Sequence, residues 1–142
     1  MSHAQQTVTV DHPIEHVFAF LSDGLNNPKW RPEISETHLL SGEGLGAEYA
    51  VSRKGVGGLS VPADYRITRF ESPTRLDFEV IDGPARPHGS YQLKELSPTS
   101  TEVTYILDNE ATGLMWITTP IISAELKTET GHLLDLPKAM AS

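Results

Sequence analysis

The last apolar stretch of the chain, residues 113–136, has the pattern of one long amphipathic helix. Apolar side chains recur in it at spacings of seven, four and seven positions: Met115, Ile122, Leu126 and Leu133. At about 100° per residue they fall along one face, with Thr119 and Thr130 near its edge. The C-terminal half is expected to be more solvated because it carries charged residues: Glu125, Lys127, Glu129 and Lys138. Since nearly everything upstream is strand-like, the apolar face is predicted to pack on a β-sheet.

Pro120 leaves the beginning of this helix open. Inside a helix a proline removes one hydrogen bond and clashes with the carbonyl four residues earlier, at a cost of ~3 kcal/mol or more. We favour a continuous helix that bends at Pro120. In the alternative interpretation the main helix starts there, with Thr119 as its N-cap, and residues 113–118 form a separate turn.

The order of the other elements predicts the fold class. Residues 7–10 alternate and are β-branched, so they predict a strand. Pro13 and Glu15 suit the first turn of a short helix, and residues 26–31 predict a second one. Six strand-like segments then follow: residues 37–40, 48–54, 63–70, 75–81, 87–96 and 102–109. Short turns between consecutive strands indicate antiparallel pairing.

We therefore predict an α+β architecture in a single domain of residues 1–142. Its curled seven-stranded antiparallel sheet would surround the long C-terminal helix, with two short helices after the first strand. A curled sheet need not close tightly on a helix at both ends. The space between them is the predicted cavity.

Composition excludes several classes of function. The net charge of −8 argues against a nucleic-acid partner and against docking on an anionic membrane. The absence of cysteine excludes disulfides, thiolate catalysis and cysteine-based metal sites. No run of 18 apolar residues is present, so no membrane insertion is expected. Residues 1–6 are polar and do not resemble a signal peptide, and a cytoplasmic location is expected.

Several motifs occur in an informative order. They are TVDHPIEHVFAFLSD at residues 9–23, NPKWRP at 27–32, a glycine turn at 42–46 followed by Tyr49, FESPTRL at 70–76, TEVT at 101–104, and LLDLPK at 133–138. Together they resemble the START-like, or SRPBCC, superfamily, and within it the bacterial polyketide cyclase/dehydrase-like branch. The resemblance covers nearly the whole chain. It implies the helix-grip fold and a cavity for an apolar or aromatic small molecule, but no single chemistry.

Aromatic side chains at inward positions are the first candidates for the cavity wall. Six are predicted to line it: Trp30, Tyr49, Tyr65, Phe78, Tyr91 and Tyr105. Their phenol groups could hydrogen-bond a carbonyl or hydroxyl of a ligand. The alternative is that these rings fill the core. The helix would contribute Met115, Thr119 and Ile122, for which ordinary packing is also the alternative.

Two basic residues are candidates for a polar role. Arg53 is in phase with Tyr49 and Val51, and it could anchor a carboxylate or a phenolate if it faces the cavity. The alternative is that it points into water, as charged side chains commonly do. His88 could act as a general base near neutral pH. Alternation places it opposite Tyr91, toward solvent, unless a bulge intervenes.

Other motifs predict no metal and no cofactor. His12 and His16 are four residues apart and could share a metal, but no third ligand lies near them in sequence. The spacing of Gly42, Gly44 and Gly46 does not match a dinucleotide-binding fingerprint. No Gly-x-Ser-x-Gly elbow is present, so nucleophilic hydrolysis has no support.

Three functions remain open at this point. One is binding of a small hydrophobic or aromatic ligand, lipid- or polyketide-like, and a cavity below about 300 Å³ would count heavily against it. Another is a polyketide cyclase or dehydratase, which needs Arg53, His88 or Tyr91 to point inward. A protein-interaction module would instead expose a large apolar patch. Self-association as a homodimer is also left open.

Overall fold

The structure is a computed structural model that describes residues 2–54, 58–82, 86–109 and 119–141. Among the residues singled out above, Met115 lies outside these ranges. The backbone of Thr119 and Ile122 is described, but their side chains are not. The predicted contributions of these three residues to the cavity therefore remain predictions.

The described residues form eight strands and four α-helices. The strands are β1 (Ser2–Val10), β2 (Ile34–Ser41), β3 (Glu48–Lys54), β4 (Ser60–Pro62), β5 (Tyr65–Glu71), β6 (Arg75–Val80), β7 (His88–Ser97) and β8 (Ser100–Asn109). The helices are α1 (Ile14–Ser22), α2 (Asn27–Trp30), α3 (Thr119–Gly131) and α4 (Leu136–Met140). Short 3₁₀ turns lie at Gly24–Asn26 and His132–Asp135.

The strands form one antiparallel sheet in the order β1-β8-β7-β6-β5-β3-β2. The sheet curls into a half-barrel, and α3 packs against β1 and β8. This confirms the predicted helix-grip architecture with its seven-stranded sheet. The structure adds a short strand, β4, which pairs with β3 outside this order. It also begins β1 at Ser2, earlier than predicted, because residues 2–10 pair with residues 101–109 of β8.

The C-terminal helix ends earlier than predicted. The expectation of one helix up to residue 136 is wrong, because α3 ends at Gly131 and a 3₁₀ turn separates it from α4. Pro137 explains the break, since it has no N–H to donate and its ring would clash with the carbonyl of Leu133 in a continuous helix. Residues 113–118 lie outside the described ranges. The question of a bend at Pro120 is therefore open.

The core lies on the concave face of the sheet, beneath the helices. β8 alternates strictly and buries Val103, Tyr105 and Leu107. Leu126 and Leu133 are also buried, as their place on the apolar face of the C-terminal helix predicts. Each fully buried side chain of this kind contributes roughly 1.5–3 kcal/mol relative to an exposed one. This burial holds the helix on the sheet and positions the pocket between them.

Candidate functional site

A pocket lies between the concave face of the sheet and α3. Its apolar lining comes from both layers and includes Val51, Ile67, Leu76 and Leu126. Its volume is about 60 Å³, room for about four to six water molecules. This is well below the roughly 300 Å³ at which pockets for drug-sized ligands begin. By the criterion set from the sequence, this volume counts heavily against a preformed site for a lipid- or polyketide-like ligand.

Four of the six predicted aromatic residues line this pocket: Tyr65, Phe78, Tyr91 and Tyr105. Tyr91 and Tyr105 come from neighbouring strands at paired positions, and their rings stack with centroids 4.6 Å apart. The ring of Phe78 lies 5.4 Å from that of Tyr65 and 5.9 Å from that of Tyr91. Since these rings alternate inward on adjacent strands, they form one continuous aromatic wall.

Trp30 and Tyr49 lie behind this wall rather than in it. Trp30, at the end of α2, meets Tyr105 and Tyr91 edge-on at centroid distances of 5.8 and 6.2 Å. Tyr49 stacks on Tyr65 at 5.2 Å. Both side chains are buried, but neither is part of the pocket lining. The prediction that all six rings line the cavity is therefore not met, because these two support the rings that do.

Arg31 and Glu129 form a buried ion pair at the pocket wall. The Nε of Arg31 and the hydroxyl of Tyr105 both donate to Oε1 of Glu129, the second at 3.3 Å. Burial alone would lower the pKa of Arg31, but the Glu129 carboxylate and the neighbouring tyrosines together outweigh it, and the pKa is raised overall. Arg31 is therefore charged at any physiological pH. The expectation that Glu129 is solvated is wrong, because only 5% of its surface is exposed.

Arg53 lines the pocket, as its phase on β3 suggested. Its Nη2 donates to Oε2 of Glu33 at 2.9 Å. Its Nε is buried, and within the described part of the chain it has no hydrogen-bond partner. A buried N–H without an acceptor is costly, so an oxygen-bearing ligand at this position would be stabilised.

The phenol groups of the wall remain protonated near neutral pH. Burial raises the pKa of Tyr91 to about 12 and raises that of Tyr105 well above its ordinary value. Burial also raises the pKa of Tyr65, opposed by the hydrogen bond that Asn27 Nδ2 donates to its hydroxyl at 2.9 Å. These hydroxyls can therefore donate or accept hydrogen bonds, but they do not act as bases at neutral pH.

His88 points away from the pocket. It is exposed and pairs with Glu79 and Asp108 on the two neighbouring strands. The register runs through Gly89 without a shift, so the bulge that would turn His88 inward is absent. A Cβ at Gly89 would lie 2.1 Å from the ring of Phe78, and glycine is therefore required for Phe78 to cover this strand.

The family comparison agrees with this geometry. The model of the family described as polyketide cyclase / dehydrase and lipid transport matches residues 1–127. The chain belongs to this family. The recognition made from sequence motifs is thereby confirmed.

Solved structures with the fold of this polyketide cyclase/dehydrase family member come from several bacteria. A START superfamily protein from Mycobacterium smegmatis is 19% identical with a TM-score of 0.70, over 99% of this chain and 94% of that chain. A protein from Thermus thermophilus is 16% identical with a TM-score of 0.74, over 99% of both chains. The Zhui aromatase/cyclase from Streptomyces sp. R1128 is 15% identical with a TM-score of 0.70, over 99% of this chain and 95% of that chain. At these identities the likeness shows the fold alone.

Two further results concern curated relatives of the chain and helices that could span a membrane. No curated protein matches the chain significantly. In the ranges that the structure describes, no helix is both long and apolar enough to cross a membrane.

Three polar pocket residues of this family member were missed at the sequence level: Asn27, Arg31 and Glu129. A signal for Glu129 was present, since it lies three residues after Leu126 and four before Leu133, on the buried face. Arg31 directly follows Trp30 in the NPKWRP motif, but nothing local shows that it turns inward. Together with Arg53, these residues make part of the pocket lining polar.

Proposed function

We propose that the protein binds a small aromatic or otherwise hydrophobic molecule that carries an oxygen-bearing polar group. The observation that carries this proposal is the pocket's combination of an aromatic wall with Arg53, whose buried Nε has no partner among the described residues. The rings of Phe78 and Tyr91 would contact the apolar part of the ligand. Arg53 would bind its carboxylate, phenol or carbonyl oxygen.

The pocket volume limits the size of the ligand. At about 60 Å³, the space is smaller than the roughly 150 Å³ of an engineered cavity that binds benzene, so the pocket has to widen even for a ligand with one aromatic ring. A lipid- or polyketide-sized ligand would require a much larger widening. Lipids and polyketides should be tested as well, because the family of this chain is described as polyketide cyclase / dehydrase and lipid transport.

A second candidate function is a cyclase or dehydratase reaction on a polyketide-like substrate. It is favoured by the positions of Arg53 and Tyr91, which both line the pocket as this hypothesis requires. An arginine and a protonated phenol could polarise a substrate carbonyl, while Oε2 of Glu129, buried and without a described partner, could accept a proton. The Zhui aromatase/cyclase, which shares the fold, makes the same reaction class worth testing here.

A binding series with one ring and three polar groups tests the first function. Benzoate, phenol and benzene would be titrated into the protein and followed by amide NMR shifts. We expect shifts centred on the pocket, with affinity falling in that order because only an anion or a hydroxyl can pair with Arg53. The Arg53→Met variant should bind benzoate at least about tenfold more weakly, since a charge-assisted hydrogen bond contributes about 1.5–3 kcal/mol, and should bind benzene as before.

A pair of alanine variants locates the binding site. Ala63 lines the pocket, whereas Ala50, on β3, does not. Ala63→Leu should fill the space and abolish binding, while Ala50→Leu should leave binding unchanged. Shifts outside the pocket, equal effects of both leucines, or no binding by any ligand of the series would overturn the proposal. The enzymatic candidate is tested separately, by incubation with a short poly-β-ketone and mass spectrometry for loss of water.

A further inference from the structure

A second polar cluster lies beside the pocket, where three potential metal ligands meet. Glu33 is in the turn before β2, Glu129 is in the last turn of α3, and His132 follows three residues later. One carboxylate oxygen from each glutamate and one imidazole nitrogen all lie within 4.8 Å of one another. Glu129 and His132 have the i, i+3 spacing with which helices present Glu-x-x-His metal ligands.

The two arginines of the pocket occupy only one oxygen of each carboxylate. Arg31 donates to Oε1 of Glu129, and Arg53 donates to Oε2 of Glu33. The other oxygen of Glu33, Oε1, lies 3.8 Å from Nε2 of His132. The arginines therefore orient both carboxylates and leave the second oxygen of each to other contacts. In metal sites, hydrogen bonds from residues outside the ligand set orient the ligands in this way.

Two buried atoms of the cluster point independently to a ligand. Oε2 of Glu129 and Nε2 of His132 are both buried without a hydrogen-bond partner among the described residues. The Glu129 side chain is only 6% exposed, and that of His132 is 17% exposed. Buried polar atoms in folded proteins are nearly always paired, so both atoms call for a partner, and a cation bound by their lone pairs would supply one.

We propose that Glu33, Glu129 and His132 bind a divalent transition-metal ion of the Zn²⁺ class. One imidazole and two carboxylates suit this class, whereas Ca²⁺ and Mg²⁺ prefer ligand sets of oxygen alone. A tetrahedral ion with ligands at about 2.0–2.1 Å separates them by about 3.3 Å, so the three side chains would have to move together by about 1 Å. Since Glu129 also lines the pocket, the fourth coordination position of the ion would lie beside the space for the pocket ligand.

Charge sets the expected strength of this site. Each glutamate is already paired with an arginine, so the ion enters a cluster that is close to neutral. Binding is therefore expected to be weaker than at a site whose carboxylates lack cationic neighbours. Glu33 and His132 are only partly buried, which gives the ion a route from solvent.

The test uses Zn²⁺ alone and does not require a pocket ligand. Chelator-treated protein would be titrated with Zn²⁺ by calorimetry at neutral pH, and we expect one equivalent to bind. His132→Ala and Glu33→Gln should each weaken binding at least about tenfold. His16→Ala and His38→Ala are the matched controls, because His16 belongs to the alternative pair with His12 and His38 lies 3.7 Å from Glu36 on the surface. Both controls should bind as the unaltered protein does.

A measurement on the unaltered protein keeps the proposal testable should a variant unfold. Co²⁺ would be added to ¹⁵N-labelled protein, and paramagnetic broadening should centre on residues 33, 129 and 132. Broadening centred on residues 12 and 16, Zn²⁺ binding that survives both His132→Ala and Glu33→Gln, or no binding of Zn²⁺ by the unaltered protein would each overturn it. If the benzoate series showed no binding, the metal-site proposal would be unaffected, because Zn²⁺ and Co²⁺ binding are measured without a pocket ligand.

Discussion

Arg31 and Glu129 form an ion pair that joins two elements 98 residues apart in the chain. Arg31 follows α2 directly, and Glu129 lies near the end of α3, so the pair ties the short helices to the C-terminal helix. Both side chains are largely removed from solvent, with exposures of 13% and 6%. The pair therefore sets how α3 sits over the pocket as well as the charge at its wall.

Breaking this pair should destabilise the fold. Glu129→Gln leaves the Arg31 guanidinium buried without a counter-charge, and we expect the free energy of unfolding to fall by about 3–5 kcal/mol. Urea denaturation followed by circular dichroism measures this. Glu71→Gln is the control, because Glu71 pairs with Arg69 on the exposed surface and its loss should change stability little.

A double variant separates charge from packing. In Arg31→Met/Glu129→Leu no charge is left uncompensated, so most of the lost stability should return. A double variant as unstable as Glu129→Gln would show that the shape of this contact, rather than its charge, holds α3 in place.

The buried tyrosines predict loss of stability at high pH. The pKa of Tyr91 is raised to about 12 in the folded state, against about 10 in the unfolded chain. Between these values the folded state keeps a proton that the unfolded state releases. Stability is therefore complete below pH 10, falls by about 1.4 kcal/mol per pH unit for each such tyrosine, and levels off above the folded pKa.

Urea denaturation at a series of pH values from 8 to 12 checks this slope, and absorbance at 295 nm follows tyrosinate formation. Tyr91→Phe should reduce the slope of stability against pH by about 1.4 kcal/mol per pH unit, the contribution of one tyrosine. A stability curve that is equally steep in this variant would mean that Tyr91 does not contribute.

Two glycines should respond in opposite ways to alanine. Gly89→Ala places a Cβ 2.1 Å from the Phe78 ring, and we expect a loss of about 1–3 kcal/mol from overpacking. Gly131 has helical angles, φ −62° and ψ −27°, and its added Cβ would meet no atom of the described residues within 4 Å beyond its own helix. Gly131→Ala should therefore stabilise by about 0.4–1 kcal/mol. Thermal melting of the two variants side by side is the measurement, and the same sign for both would contradict the packing described here.

His88 and Tyr91 should differ in their effect on benzoate affinity. His88 is exposed, so His88→Ala should change the dissociation constant by less than about twofold. Tyr91→Phe removes a hydroxyl from the pocket wall and should weaken binding about two- to tenfold, the range of one hydrogen bond. Calorimetry with benzoate measures both. A large effect of His88→Ala alone would reinstate His88 as a pocket residue.

Much of the fold could be predicted because local patterns report which face of an element is buried. Alternation on β8 and β7 correctly placed Tyr105 and Tyr91 inward and His88 outward. The phase on β3 left open whether Arg53 faces the cavity or points into water, and the structure has it lining the pocket. The positions on β7 and β8 could be predicted because the side-chain period of a strand is two whatever the rest of the chain does.

The order of elements and the inward rings of β7 and β8 could thus be derived from local patterns, and the family from the order of motifs along nearly the whole chain. The helical phase of Glu129 put it on the buried face, but its burial did not follow, because a glutamate on a helix is ordinarily solvated and only a cation brought from another element makes its burial favourable. The positions of Trp30 and Tyr49 behind the wall, and the small size of the pocket, likewise depend on how separate layers meet. Tertiary structure alone decided that Arg31 and Glu129 meet at the pocket wall, because charge pairing acts between residues that the chain keeps far apart.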